Sequence, residues 1–225
     1  MLNNKIQTRQ SKDFVYGAFA EVTKALSSPR RLELLDLLLQ GPRPVEGLAR
    51  AVGQPLANAS QHLQVLKRAR VVETERRGTT IEYRLAPAVA DVFVALRRLA
   101  EARNPALPPA RERLHGDALE TIDRASLQAG LAAGGVTLID VRPAGEYAHA
   151  HLPDALSMPI DELEARIDEL PEDALVVATC RGPYCVFAAD AVRILRRHGR
   201  RAVRFEDGPG EWSADGGTLI TGGVK

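Results

Sequence analysis

The sequence of 225 residues is poor in cysteine, in aromatic residues and in long apolar runs, and its net charge is only +1. Its two cysteines, Cys180 and Cys185, are too few for the disulfide framework of a small secreted protein. The apolar runs stay short of the roughly 18 residues that a membrane span needs. The polar segment 1–12 lacks the apolar core of a signal peptide. We therefore expect a cytoplasmic protein that has no membrane partner.

The small net charge conceals an uneven distribution. Residues 1–103 hold 17 Lys and Arg against 10 Asp and Glu, whereas residues 104–225 hold 13 against 19. Because a length of 225 residues suits two domains of ordinary size, this asymmetry indicates that the two halves meet different partners. The basic half is the candidate for binding nucleic acid, although a basic face can equally be only solvated.

A cluster of three prolines within Asn104–Pro109, followed by the charged segment 110–117, indicates a linker. We predict a mainly helical domain over 1–103, a linker over 104–117 and a second domain over 118–225. In the second domain, predicted strands alternate with predicted helices, which indicates an α/β fold with a parallel sheet. The predicted strands are 137–141, 174–179 and 202–205, and the predicted helices are 126–133, 160–170 and 186–198.

Two predicted helices in the basic half, 45–52 and 55–70, are joined by a tight turn at Gly53. In a helix-turn-helix of this kind the second helix enters the major groove of DNA with its early residues at the base edges. Small and amide side chains suit that position, because amides hydrogen bond adenine and an alanine methyl contacts the thymine methyl. The candidate base-contacting residues are Ala57, Asn58, Ser60, Gln61 and Gln64.

Two predicted strands, 71–75 and 80–85, follow the second helix and enclose a turn at 76–79. Arg76 and Arg77 lie in this turn, where they can reach phosphates or an adjacent minor groove. The other basic residues nearby, Lys67, Arg68 and Arg70, fit either backbone contacts to DNA or a solvated surface.

Three stretches of the basic half resemble the ArsR family of winged-helix repressors: ALSSPRRLELL at 25–35, ASQHLQVLKRA at 59–69 and RRGTTIEYRL at 76–85. The resemblance covers about Tyr16–Arg103. It implies a homodimer built by the terminal helices, here about 13–26 and 88–103, and repression of a promoter that a signal relieves.

One departure from that family concerns metal sensing. Metal-sensing members place cysteines at the start of the helix before the recognition helix, where this sequence has RPVEG at 43–47. Residues 1–103 contain no cysteine, and their only histidine is His62. Because soft metals need thiolate or imidazole ligands, we expect no metal site and no cofactor, and the signal must enter elsewhere.

The strongest chemical feature of the acidic half is a loop between a predicted strand and a predicted helix: Cys180, Arg181, Gly182, Pro183, Tyr184 and Cys185. Such a loop directs backbone N–H groups and a helix N-terminus at an anion. With Arg181 adjacent, we expect a lowered pKa at Cys180 and a nucleophilic thiolate. Cys185 is either a resolving thiol that attacks a persulfide on Cys180 or a residue that the helix turns away. A buried structural cysteine is the alternative at both positions.

The acidic half is also similar to rhodanese-like domains, from about Leu119 to Gly217. The matches are LIDVR at 138–142 with Glu146-Tyr147, HLPDA at 151–155, the loop at Cys180, and the pairs Asp207-Gly208 and Glu211-Trp212. The resemblance implies that Cys180 takes a sulfane sulfur atom from a donor such as thiosulfate, polysulfide or a low-molecular-weight persulfide.

Loop length argues against a phosphate or arsenate substrate. Related phosphatases and arsenate reductases use the longer loop C-x5-R, which would need arginine where this sequence has Val186. In the HLPDA turn, Asp154 replaces the glycine that is usual in the family.

These features favour a transcription regulator, in particular a repressor, that binds a double-stranded DNA operator as a homodimer. Its rhodanese-like half would sense reactive sulfur or redox state through a persulfide or disulfide at Cys180. One alternative is a thiosulfate or persulfide sulfurtransferase with an attached DNA-binding domain. Another is a DNA-binding protein whose second half only binds other proteins, although an intact nucleophile loop counts against it.

Overall fold

The structure, a computed structural model, describes residues 2–116 and 119–222, with side chains from residue 7 onward. Residue 117 of the predicted linker, and residues 118 and 223–225 of the predicted second domain, lie outside the described residues. The chain divides into two compact units, the first ending at Ala90 and the second beginning at Asp91. In the described part of the chain, no helix combines the length and the apolar character needed to cross a membrane.

The first unit is mainly helical and carries a small antiparallel sheet, as the sequence predicted. The helix-turn-helix is present, and its turn contains Gly53 at φ +60°, a left-handed conformation that glycine adopts without strain. The helices are α1 (Leu2–Leu26), α2 (Pro29–Leu38), α3 (Val45–Ala51) and α4 (Leu56–Arg68). The strands are β1 (Arg43–Pro44), β2 (Val72–Arg77) and β3 (Thr80–Leu85), in the order β1-β3-β2.

The core of this unit explains why α4 presents one face to solvent. Leu63 and Leu66 of α4 are fully buried together with Leu34, Leu35 and Leu48. This apolar stripe at helical spacing fixes the rotation of α4. α1 begins at Leu2 rather than at the predicted residue 13. The segment 3–12 contains good helix formers, which favour the longer helix. It has no apolar stripe at helical spacing, so the sequence pattern did not indicate this part of the helix.

The second unit contains the predicted parallel sheet, so the predicted fold class is confirmed. Its five strands lie in the order β4-β8-β7-β5-β6, and every neighbouring pair is parallel. The strands are β4 (Thr121–Ile122), β5 (Val136–Asp140), β6 (Leu156–Ser157), β7 (Leu175–Thr179) and β8 (Ala202–Phe205). The helices are α5 (Val89–Arg103), α6 (Leu107–His115), α7 (Arg124–Ala132), α8 (Ala144–His149), α9 (Phe187–Arg197) and α10 (Pro209–Ala214).

Three segments of the second unit differ from their prediction. The segment predicted as a linker contains α6, because Pro108 and Pro109 lie in its first turn, where a missing N–H breaks no helical hydrogen bond. The helix predicted at 160–170 is instead a 3₁₀ helix, Leu163–Glu169. α5, predicted as part of the first domain, contributes Asp91–Arg103 to the second unit.

The sheet of the second unit is covered by an apolar cluster on each face. Leu138 and Val177 belong to one cluster, and Ile139 and Val176 belong to the other. Successive residues of a strand point to opposite faces, so each cluster covers one face. Cys180 lies in the second cluster with the buried side chains of α9. The loop that follows β7 is therefore anchored in the core at its first residue.

Candidate functional site: the loop from Cys180 to Cys185

The six residues 180–185, called here the Cys180 loop, connect β7 to α9 at the carboxyl edge of the sheet. This edge is where parallel α/β sheets bind ligands. The loop is a close backbone turn, since Gly182 has φ +133°, a conformation that strains other residues. Gly208 supports the loop from behind, and a Cβ on Gly208 would lie 2.7 Å from the backbone nitrogen of Gly182. Thr179 adds a 2.8 Å hydrogen bond from its hydroxyl to the carbonyl of Asp207.

The two cysteines of the loop contact each other. Cys180 is only 3% exposed and Cys185 is half-buried, and both are free thiols. The Cys180 sulfur lies 3.5 Å from the carbonyl oxygen of Cys185, and a hydrogen bond between the two thiols is among the causes that shift their pKa values. Backbone N–H groups also point at the sulfurs, from Gly182 and Ala188 to Cys180. The structure therefore turns Cys185 toward Cys180.

The lowered thiol pKa lies at Cys185, and the sequence-based expectation of a lowered pKa at Cys180 is wrong. The hydrogen bond from Cys180, together with backbone N–H groups of Arg181 and Phe187, lowers the pKa of Cys185 to about 7. Burial raises the pKa of Cys180 well above its usual value, and the hydrogen bond to Cys185 raises it further. Cys185 therefore ionises before Cys180, and the two titrations belong to the pair.

The charge of Arg181 contributes to lowering the pKa of Cys185, but its guanidinium is engaged with Glu146 of α8. Its guanidinium donates two hydrogen bonds to the Glu146 carboxylate, at 2.8 and 2.6 Å. Glu146 is almost fully buried, so this pair ties the first turn of the loop to α8. A second buried pair, Arg142 with Asp140, joins the end of β5 to the carbonyl of Ala150. Both ion pairs join the segments around the loop to their neighbours in the fold.

Residues outside the loop hold its middle. Tyr184 donates a 2.8 Å hydrogen bond to Glu101 of α5. Pro183 accepts a 2.7 Å hydrogen bond from Nε2 of His115, which ends α6. Because a carbonyl oxygen only accepts, Nε2 of His115 must carry a proton. Burial lowers the pKa of this histidine, which favours the neutral ring.

The predicted DNA-reading residues lie along α4 of the first unit. Ala57, Asn58, Gln61 and Gln64 are exposed, whereas Ser60 is half-buried. Gln64 also donates a 3.3 Å hydrogen bond to the Tyr83 hydroxyl of β3. The side chains that could meet base edges thus share one exposed face, opposite the buried leucines.

The hairpin of β2 and β3 carries the predicted arginines at its tip. Arg76 and Arg77 are exposed beside Gly78, which has φ +61° and makes the turn. The Arg76 Nε donates a 3.0 Å hydrogen bond to the carbonyl of Gly78, and Arg77 pairs with Glu82 at 3.3 Å. Both arginine side chains are solvent-exposed, so phosphate contacts can replace these interactions at little cost.

The structure brings all six predicted loop residues together, and it keeps the predicted DNA residues on a separate unit. Sequence reasoning missed the residues that support the loop from a distance, namely Arg97, Glu101 and His115. They lie far from Cys180 in the chain and belong to no motif. Glu211 was noted only as part of the pair Glu211-Trp212, although its carboxylate lies against Gly182.

Comparison with known proteins gives the same two parts. The family described as "Bacterial regulatory protein, arsR family" matches residues 28–74, and the family described as "Rhodanese-like domain" matches residues 123–215. The chain is 46% identical over 198 residues to the HTH-type transcriptional regulator Rv0324 of Mycobacterium tuberculosis, covering 88% of each protein. It is 33% identical over 100 residues to a protein of Allochromatium vinosum named Sulfurtransferase, covering 44% of this chain and 92% of that protein. The solution structure of the homodimeric winged helix-turn-helix domain of Mb0332 from Mycobacterium bovis matches at 43% identity and a TM-score of 0.39, covering 40% of this chain and 84% of that one.

Proposed function

Because the chain belongs to the ArsR family of bacterial regulatory proteins and carries a C-terminal rhodanese-like domain, we propose that it is a sulfur-responsive transcription repressor. It binds a double-stranded DNA operator as a homodimer through α4 and the β2–β3 hairpin. It releases the operator when Cys180 takes up sulfane sulfur and then forms a disulfide with Cys185. The observation that carries this proposal is the approach of the two cysteines inside one short loop, where the Cys180 sulfur lies 3.5 Å from the carbonyl oxygen of Cys185.

The surface of α1 supports the homodimer. Large apolar side chains along this helix are exposed, with Phe14 at 79%, Tyr16 at 68% and Phe19 at 61%. Exposed apolar patches of this kind mark contact surfaces in soluble proteins. A second copy of the chain is the partner that the family resemblance implies for this helix.

The proposed chemistry begins with the proton of Cys180. Cys180 passes its proton to the Cys185 thiolate, and the resulting Cys180 thiolate attacks the outer sulfur of a persulfide donor, RSSH. The sulfur–sulfur bond of the donor breaks, RS⁻ leaves, and Cys180 carries the persulfide. RS⁻ takes the proton from Cys185. The Cys185 thiolate then attacks the inner sulfur of the Cys180 persulfide, which forms the Cys180–Cys185 disulfide and releases the outer sulfur as HS⁻.

This sequence oxidises two thiols and reduces one sulfane sulfur, so no further oxidant is needed. The resolving thiol is already in hydrogen-bond contact with the persulfide carrier. Attack within one loop is faster than attack by a free thiol, because the reacting groups are held close together. The geometry therefore favours a switch that stops at the disulfide over an enzyme that waits for an external acceptor.

The test uses the full-length reduced protein. A random duplex library selected on this protein supplies a fluorescent duplex, and its affinity is measured by anisotropy at fixed salt, before and after sodium tetrasulfide. We expect at least a tenfold loss of affinity, reversed by dithiothreitol, with a mass decrease of about two hydrogens that shows a disulfide. Cys180→Ser should bind the duplex and ignore tetrasulfide. An unchanged affinity in the wild-type protein, once the disulfide is verified by mass, would overturn the proposal.

A second candidate function is sulfur transfer, because the match to the Allochromatium protein named Sulfurtransferase spans nearly all of that protein. It is tested by thiocyanate formation from thiosulfate and cyanide. If the disulfide limits turnover, Cys185→Ser should form thiocyanate faster than the wild-type protein. Rapid, sustained turnover by the wild type, with unchanged DNA affinity, would favour the enzyme.

A further inference from the structure

Helix α5 holds the Cys180 loop at the residue next to Cys185. The phenol of Tyr184 donates a 2.8 Å hydrogen bond to Oε1 of Glu101. Burial, and then this hydrogen bond, raise the pKa of Tyr184 to about 12, so the phenol keeps its proton at physiological pH. A hydrogen bond to a charged acceptor is stronger than one between neutral groups. Because Tyr184 is the neighbour of Cys185 in the chain, a displacement of Cys185 also acts on the hydrogen bond between Tyr184 and Glu101 of α5.

The same face of α5 reaches the loop a second time, through Glu211. Arg97 lies one helical turn before Glu101, and its guanidinium pairs with the Glu211 carboxylate, with only 10% and 7% of the two side chains exposed. That carboxylate accepts a 3.0 Å hydrogen bond from the backbone of Gly208. It also lies so near Gly182 that a Cβ there would come within 2.7 Å of Oε2. Arg97 thus fixes the carboxylate against which the loop is packed.

These contacts come from outside the segment that matches the rhodanese-like family, 123–215. We propose that Arg97 and Glu101 are positioning residues of the Cys180 loop, and that through them α5 responds to the chemical state of the two cysteines. The inference rests on the proposed function for its effect on DNA binding. Its claim about loop geometry stands independently.

Disulfide formation must disturb these contacts. The two sulfurs move from hydrogen-bond contact to a covalent distance of about 2.05 Å. Cys180 is buried in the core, so most of this movement falls on Cys185 and its neighbour Tyr184. α5 starts at Val89, and β3 of the DNA-binding unit ends at Leu85. α5, which contacts Tyr184, is therefore joined to the β2–β3 hairpin by a short connection in the chain.

The first arm of the test measures loop geometry without DNA, as the pH dependence of Cys185 alkylation by iodoacetamide. Arg97→Ala and Glu101→Ala should each raise the alkylation pKa of Cys185, because a loosened loop weakens the hydrogen bond from Cys180. Glu101→Gln keeps an acceptor for Tyr184 and should stay near the wild-type value. Tyr184→Phe removes the donor of the same hydrogen bond and keeps the Glu101 carboxylate. It should also raise the alkylation pKa of Cys185, and it replaces Glu101→Ala in the test if Glu101→Ala folds poorly.

Arg98→Ala is the matched control, because Arg98 lies on the same helix and pairs with Asp215 at 2.8 Å rather than with the loop. Its alkylation profile should equal that of the wild type. If Glu101 acted only through its charge, both Glu101→Ala and Glu101→Gln would lower the pKa of Cys185. That result, or wild-type profiles in Arg97→Ala, Glu101→Ala and Tyr184→Phe, would overturn the inference.

The second arm measures how much the disulfide weakens binding to the selected duplex. In the wild type and in Arg98→Ala, the disulfide should weaken duplex binding tenfold or more. In Arg97→Ala and Glu101→Ala, it should weaken duplex binding less than about threefold. If the disulfide weakens duplex binding in both of these variants as much as in the wild type, the role of α5 is overturned. If the disulfide does not weaken duplex binding by the wild-type protein, the proposed function fails. The alkylation profiles still decide whether α5 positions the loop.

Discussion

Replacing Cys180 with alanine should return Cys185 to the behaviour of an ordinary thiol. The hydrogen bond from Cys180 is the largest of the causes that lower the pKa of Cys185 from 9.0 to about 7. A difference of this size corresponds to about 3 kcal/mol of preference for the thiolate. Without the Cys180 donor we expect a pKa above about 8. The thiolate fraction at pH 7 would then fall from about half to less than a tenth, and the alkylation rate would fall at least fivefold.

The assay is the pH dependence of Cys185 alkylation, with the modified site identified by peptide mass. Cys180→Ser is the matched control, since its hydroxyl can still donate to the Cys185 thiolate and should keep most of the lowered pKa. If Cys180→Ala also titrates near pH 7, then the backbone N–H groups of the loop are sufficient, and the role of the hydrogen bond from Cys180 is refuted.

Three further outcomes follow from the same contacts. The pKa of Cys185 is lower in the folded state, so its thiolate contributes stability in full at pH values above the unfolded pKa of about 8.5. This contribution is lost as the pH falls through about 7. Urea unfolding of the reduced wild-type protein should therefore gain about 1 kcal/mol more stability between pH 6 and pH 8 than Cys185→Ser gains. Arg76→Ala and Arg77→Ala should each weaken duplex binding regardless of sequence and reduce the slope of log affinity against log salt by about 1, if each contacts one phosphate. Gly208→Ala should displace the loop, because its Cβ would lie 2.7 Å from the Gly182 nitrogen, and thiosulfate-dependent labelling of Cys180 should fall. The matched control is Gly135→Ala, whose Cβ would meet nothing within 4 Å and which should leave the loop unchanged.

The parts of the fold that local pattern controls could be predicted from the sequence. Leu63 and Leu66 lie at helical spacing, and both are buried, so the exposed face of α4 follows directly. The strands β5, β7 and β8 are apolar runs in a parallel sheet covered on both faces, which is why their positions were visible. By contrast, Pro108 and Pro109 indicated a break in the sequence, although they lie in the first turn of α6, where proline is tolerated.

The electrostatics of the loop could not be predicted, because they depend on residues that only the fold brings together. The sequence suggested that Arg181 would stabilise a thiolate on Cys180. In the fold, Glu146 accepts both hydrogen bonds from that guanidinium, and the partner of Cys180 is Cys185. Likewise, no local motif connects Glu101 with Tyr184, which lie on different elements.

The central claim is that DNA binding and the state of the two cysteines are coupled, and such coupling is reciprocal. The most direct measurement is therefore the midpoint potential of the Cys180–Cys185 disulfide, titrated in glutathione or dithiothreitol buffers with and without saturating operator duplex. Operator binding to the reduced protein should raise the midpoint by about 30 mV for each tenfold difference in affinity between the two states. The same midpoint with and without the duplex would contradict the account.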